Sequence, residues 1–184
     1  MCGYLITNLM LEKRKFSQAL KEQEYRGPDN SRVLKMNNVF FGFNRLSIID
    51  LSNNSMQPLK YKNFIMCFNG EIYNYKELRS QLMEKNVKFY SQGDGEVFLK
   101  TIYHFGKNKG LRKIRGMWSA IIYNTKKNEF FISRDRIGIK PLWYYTKDSK
   151  FIFSTDIKSI LYLIDNLKVN EDSIGDFLKY GILD

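Results

Sequence analysis

The sequence carries a single histidine, two cysteines and three prolines in 184 residues. One histidine argues against a His-rich zinc site, whose tetrahedral ligand set draws on several imidazoles or thiolates. It also leaves one partner for any Cys-His or Ser-His pair, so an enzyme of this composition has reason to find its base elsewhere. Two cysteines close at most one disulfide, which excludes a disulfide-stapled secreted scaffold. No run of 18 apolar residues is present, so no transmembrane helix and no membrane partner is expected. The start, Met1-Cys2-Gly3-Tyr4, lacks a basic stretch and a small-residue cleavage site and does not read as a signal peptide. Neither a Walker A motif nor G-x-G-x-x-G occurs, so neither kind of nucleotide site is supported. A reducing cytoplasm is the expected location.

What is present is enough for a core. Hydrophobic residues make up 43% and aromatics 15%, too much for a disordered chain, and the length suits one domain. Thirty Lys+Arg against nineteen Asp+Glu give a net charge of +11. Such a charge is compatible with nucleic acid, an anionic membrane surface or an acidic partner. The lysines are scattered, however, and the densest stretch, Lys107 to Lys113, is short and reads as a helix-connecting surface. A solvated basic surface is the expectation, with no nucleic-acid partner.

Periodicity predicts strands over 4–10, 33–36, 39–43, 64–68, 118–124, 129–133, 142–146 and 151–154. Asn37-Asn38 suits the turn of a hairpin. Helical spacing appears around Phe16, Ala19 and Leu20, from Asn74 to Met83, from Asp94 to Phe105, and over 157–164 and 171–180. Asn74 followed by Glu77 suggests a capping box, and Gly106 stands where a helix-ending glycine belongs. Strands in hairpin-like pairs, with helices in the middle and at the end, predict an α+β fold of antiparallel sheets.

Cys2 is the first candidate for chemistry. The residue is small enough for Met1 to be trimmed, which would put a thiol and a free α-amine on one residue. An α-amine titrates near 7.7–8.0 when unperturbed and suits a general base at neutral pH. Nucleophile and base would then share one residue, as in threonine and amino-terminal amine pairs. Asn69-Gly70 follows an apolar strand. It is a strong hairpin-turn signal; the functional alternative is an oxyanion hole made of a side-chain amide and a backbone N–H. Arg45 interrupts an apolar stretch, so its charge needs an internal ion pair, a snorkelling route to solvent, or the carboxylate of a substrate held by its planar fork. Asp94 fits a helix N-cap or a receptor for a substrate ammonium. Cys67 and His104 read as structural residues, and Arg26-Gly27-Pro28-Asp29 and Arg134-Asp135 as a turn and a surface pair.

The ordered set is more specific than its parts. Met1-Cys2-Gly3 is followed by Arg26-Gly27-Pro28-Asp29, Asn44-Arg45-Leu46-Ser47-Ile48-Ile49-Asp50, Gln57-Pro58-Leu59 and Phe68-Asn69-Gly70-Glu71-Ile72-Tyr73-Asn74. Gly93-Asp94-Gly95-Glu96 and Ser133-Arg134-Asp135-Arg136-Ile137-Gly138-Ile139-Lys140-Pro141-Leu142 complete it. The series resembles the glutaminase half of glutamine-hydrolysing asparagine synthetases, class II glutamine amidotransferases of the N-terminal-nucleophile hydrolase superfamily.

The resemblance implies a four-layer αββα sandwich of two mainly antiparallel sheets flanked by helices. It implies Cys2 as the nucleophile on the glutamine side-chain amide and Asn69 and Gly70 as the oxyanion hole. Arg45, Leu46, Ile48, Glu71 and Asp94 would bind glutamine, with Arg45 on its α-carboxylate and Asp94 on its α-ammonium. No metal or cofactor is implied within these residues. ATP and magnesium belong to a synthetase domain that would lie beyond residue 184, in cis or in trans, with about 165–184 as the lead-in to it. A homodimer is compatible with the family. The chain departs from the usual pattern at Gly93, where a small polar residue is common, and at Tyr25 and Asn44, where histidines are common. Two other readings remain open at this point. The ammonia acceptor could be another carboxylate, such as a surface-polysaccharide sugar, or the chain could be a non-enzymatic basic binding module.

Overall fold

The central strands are apolar on both faces because both faces are covered. In β5 (Phe64–Ile72), Ile65 and Cys67 point one way, while Met66, Phe68 and Ile72 point the other. The first pair joins Tyr4, Ile6, Phe41, Phe43, Tyr123 and Phe153 in a core between two sheets. The second set packs with Val97, Phe98 and Leu99 of a helix. Alternate residues of one strand thus feed two different cores, as the period of two requires.

The computed structural model describes residues 1–165, 167, 168 and 170–181. One sheet has the order β2-β3-β1-β9-β8. Its strands are β1 (Gly3–Thr7), β2 (Asn30–Met36), β3 (Val39–Arg45), β8 (Trp143–Lys147) and β9 (Lys150–Ser154). The other has the order β4-β5-β6-β7, with β4 (Leu59–Tyr61), β6 (Gly116–Asn124) and β7 (Glu129–Arg134) beside β5. All strand pairs are antiparallel.

Helices α1 (Lys13–Lys21) and α5 (Ile157–Leu163) cover the outer face of the first sheet through Phe16, Ala19, Leu20, Ile160 and Leu163. Helices α2 (Tyr75–Met83) and α3 (Asp94–Phe105) cover the second sheet. Phe98 of α3 lies 5.1 Å from Phe68 and 5.8 Å from Trp118, ring centre to ring centre, bridging β5 and β6. The result is the expected αββα sandwich.

Several local expectations change. Asn69 and Gly70 form no turn, because β5 continues through them to Ile72 with Asn69 opposite Ser119 and Gly70 opposite Trp118. Lys107 to Lys113 is itself a helix, α4, rather than a linker. Asn74 precedes α2 but caps nothing with its side chain. Its amide donates to the Lys113 carbonyl at 2.9 Å and accepts from Arg115 N–H at 3.0 Å, tying α2 to the start of β6. The last helix, α6 (Glu171–Tyr180), matches its prediction. The expected lead-in over 165–184 includes positions 166, 169 and 182–184, which lie outside the described residues.

Candidate active site

Even-numbered residues of β1 face the space between the sheets, so Cys2 enters at one end of that space, just ahead of Tyr4 and Ile6. Asn69 reaches the same space from the facing sheet, two residues beyond Cys67 and on the same side. The sheets diverge there into a cleft of about 190 Å³, a volume suited to one small amino acid. Cys2, Arg45, Leu46, Ile48, Asn69, Gly70, Glu71 and Asp94 all line it. The structure therefore gathers every site residue the sequence proposed, from four separate stretches of chain.

The thiol is bracketed by the backbone of Leu46. Leu46 N–H donates to Cys2 Sγ at 3.4 Å, and the thiol faces the Leu46 carbonyl at 3.6 Å. Burial pushes the thiol pKa up, and Asp94 adds to this, while the Leu46 backbone contact and Arg45 act the other way. A thiol held in its protonated form needs a nearby base to become a nucleophile. The Cys2 carbonyl is anchored by Arg26 Nε at 3.3 Å. Arg26 is thus no mere turn residue.

Asn69 is buried, and its Nδ2 has no hydrogen-bond partner. A buried, unpaired donor is costly unless something fills it. A developing oxyanion would. Gly70 follows because nothing larger fits: a Cβ there would sit 2.4 Å from the Met117 carbonyl oxygen. Upstream, the side-chain amide of Gln57 pairs with the Phe68 backbone, accepting from its N–H at 2.6 Å and donating to its carbonyl at 2.9 Å. It acts as an extra rung of the sheet beside the oxyanion donors. The sequence showed Gln57 within a motif but gave no hint of this role.

Arg45 is buried at the end of β3. Its Nη1 donates to the Ser52 carbonyl at 2.8 Å, and its Nη2 bonds the Asp50 carbonyl and the Ser55 hydroxyl. Among the described residues Arg45 forms no ion pair, and its buried side chain does not snorkel to solvent. Three of five guanidinium donors hold the 50–55 loop, which leaves two for a carboxylate. Asp50 then joins this loop to the next, its carboxylate accepting from Ser52 N–H at 2.8 Å and Gln92 N–H at 2.7 Å.

Asp94 begins α3, and its carboxylate accepts from the Ile72 N–H at 2.8 Å. Burial raises its pKa, opposed by the backbone N–H groups around it. A substrate ammonium would supply the missing counter-charge. Glu96 secures the approach to this helix by accepting from the backbone N–H groups of Tyr90 and Ser91 and from the Ser91 hydroxyl. Leu46 serves by its backbone, whereas Ile48 lies at the rim, 73% exposed. Glu71 is exposed at the cleft wall.

The two motifs read as surface features have inward roles. Asp29 accepts from Ser47 N–H at 2.6 Å, fixing the segment that follows Arg45. Gly27 allows close approach, since a Cβ there would lie 2.3 Å from the Asn44 carbonyl oxygen. Asp135 is buried and receives N–H groups from Trp118, Ile137, Ile139 and Lys140. Burial alone would raise its pKa, but these donors outweigh it and hold the carboxyl below its ordinary value. Its stabilisation is therefore present above the unfolded carboxyl value of about 3.9 and lost as pH falls through the lower folded value. Asp135→Asn is expected to cost about 2 kcal/mol at pH 7. Urea unfolding should show the gap between variant and parent closing as the pH approaches 2. Cys67 and His104 remain structural: Cys67 is fully buried, and His104 Nε2 pairs with the Tyr61 hydroxyl at 2.8 Å.

Two antiparallel sheets opening on a cysteine just ahead of a central strand, opposite an Asn-Gly pair, make the arrangement expected of an amidotransferase domain. A family model for the glutamine amidotransferase domain matches residues 1–184, and the chain belongs to that family. It is 33% identical to glutamine-hydrolysing asparagine synthetase 1 of Bacillus subtilis, over 98% of this chain and 30% of that protein. It is 32% identical to a putative glutamine-hydrolysing asparagine synthetase 2 of Methanocaldococcus jannaschii, over 94% of this chain and 36% of that protein. The chain thus spans about a third of the length of these relatives. Among solved structures, glutamine phosphoribosylpyrophosphate amidotransferase of B. subtilis superposes with a TM-score of 0.75 at 15% identity. That match covers 89% of this chain and 43% of the other and supports the shared fold.

Proposed function

We propose that this domain hydrolyses the side-chain amide of glutamine and that the ammonia serves an ATP-dependent synthetase unit converting aspartate to asparagine. The observation that carries the first half is the unpaired Nδ2 of Asn69, buried in the cleft that also holds the Cys2 thiol. In this reading Met1 is removed and the free α-amine of Cys2 takes the thiol proton. Sulfur attacks the amide carbon, and the oxyanion is held by Asn69 Nδ2 and the Gly70 N–H. The proton passes to the leaving nitrogen, ammonia departs and a thioester remains. Water, deprotonated by the same amine, opens the thioester to glutamate and restores the thiol. Arg45 takes the substrate carboxylate and Asp94 its ammonium, which places the amide carbon at the sulfur.

Among the described residues no group of three His, Cys, Asp or Glu side chains is placed to hold a metal ion, and no step here runs through one. The synthetase partner is supported by the names and lengths of the relatives. Exposed Ile48 and Ile49 line the cleft and would suit a covering domain. No helix of the described residues is long and apolar enough to cross a membrane.

The test uses glutamine labelled with ¹⁵N in its amide. Glutamate and labelled ammonia should appear one to one. With the full-length chain, aspartate, ATP and magnesium, the label should enter asparagine. No labelled ammonia would defeat the glutaminase reading. Labelled ammonia without labelled asparagine would assign another acceptor.

A further inference from the structure

Among the described residues two lysines are buried, and their surroundings differ. Lys100 pairs with Glu96, donates to the Lys88 carbonyl and lies over the rings of Tyr61, Phe89 and Tyr90. Lys140 is 7% exposed, yet among the described residues no carboxylate stands within ion-pair distance of it. Its Nζ points into the catalytic cleft and meets only Met1 Sδ, at 3.3 Å. A thioether is a weak acceptor, and an ammonium buried without a counter-charge is costly. The cost is not an accident of a loose loop. The Lys140 N–H donates to Asp135 at 3.0 Å and its carbonyl accepts from Arg134 Nε at 2.7 Å. Asp135 in turn gathers the N–H groups of Ile137 and Ile139. The whole Arg134-Asp135 turn clamps the Lys140 backbone, and the side chain it carries reaches the cleft at Met1.

We propose that Lys140 is a positioning residue for the nucleophile, its fixed positive charge favouring the uncharged α-amine and the thiolate of Cys2. Both are the reactive forms, and one cation promotes both. When Met1 leaves, the ammonium loses its thioether contact and faces the new terminus. The other charges around Cys2 leave this task open. Asp94, Glu71, Glu96 and Asp50 line the cleft with negative charge, which opposes it. Arg45 acts in the same direction as Lys140, but its donors are spent on the 50–55 loop, and Arg26 engages the Cys2 carbonyl. The inference rests on the glutaminase reading for its consequence in turnover, but the charge can be read without turnover.

The full-length enzyme is assayed for glutamate release from about pH 5.5 to 9.5 as the parent, Lys140→Met and Lys140→Arg. Lys140→Met should move the acid limb of kcat/KM up by about one unit, a loss of about tenfold at low pH that shrinks as pH rises. Lys140→Arg should keep the parental limb. Alkylation of Cys2 by iodoacetamide, followed by mass spectrometry, should shift in the same direction and also reports on a variant too weak to assay. An unshifted limb and unshifted alkylation in Lys140→Met would overturn the proposal, as would a loss equal at every pH, which marks a merely structural lysine. If the parent itself releases no glutamate, the glutaminase reading fails, while the alkylation profile still decides the role of Lys140.

Discussion

Cys2→Ala is expected to lower glutamate release from glutamine by about 10⁴-fold or more, the scale seen when a covalent nucleophile is removed. On the proposed reading Cys2 supplies the attacking sulfur, which alanine lacks, while the α-amine of position 2 survives the substitution with nothing to activate. No other thiol can take over the attack, since Cys67 is fully buried in the core between the sheets, and His104 is bound to Tyr61. The half-buried thiol contributes little packing, so the thermal midpoint should stay near that of the parent. Rate measurements with glutamate dehydrogenase coupling, beside a melting curve, separate lost chemistry from lost folding. Turnover in the alanine variant would remove the nucleophile from the account.

Asn69→Ala should reduce kcat by about 10²–10³-fold with a far smaller change in KM. The amide nitrogen is buried and unpaired, and on the proposed reading it gains its partner only as the carbonyl oxygen becomes negative. An interaction made only in the transition state appears in kcat rather than in substrate affinity. On the proposed reading Arg45 and Asp94 bind groups that do not react, so their substitution should act mainly on KM. A rise in KM with unchanged kcat for Asn69→Ala would move that residue from the oxyanion hole to ground-state binding.

Much of this was legible in the sequence. Apolar runs such as 64–68 announced strands, and the buried αββα layering explains why both faces of those strands are apolar. What escaped were features fixed by distant chain. Asn69-Gly70 has the local signature of a hairpin, yet β6 extends β5 past it, because pairing with Ser119 and Trp118 outweighs turn propensity. Asn74 has a capping pattern, but Lys113 and Arg115 claim its amide. Gln57, Asp50 and Asp135 serve backbone groups far along the chain, and no spacing rule reports such partners. Lys140 sat at the end of a quoted motif, but its isolation from any carboxylate exists only in three dimensions.

The central claim is that the residue at position 2, freed at its amine, forms the covalent bond with substrate. A diazoketone analogue of glutamine, incubated with the protein and followed by peptide mass spectrometry, tests it most directly. One adduct is predicted, on Cys2, in a peptide that begins with Cys2 and has lost Met1, with formation slowed by excess glutamine. An adduct on Cys67, or turnover by a chain that keeps Met1, would contradict the account.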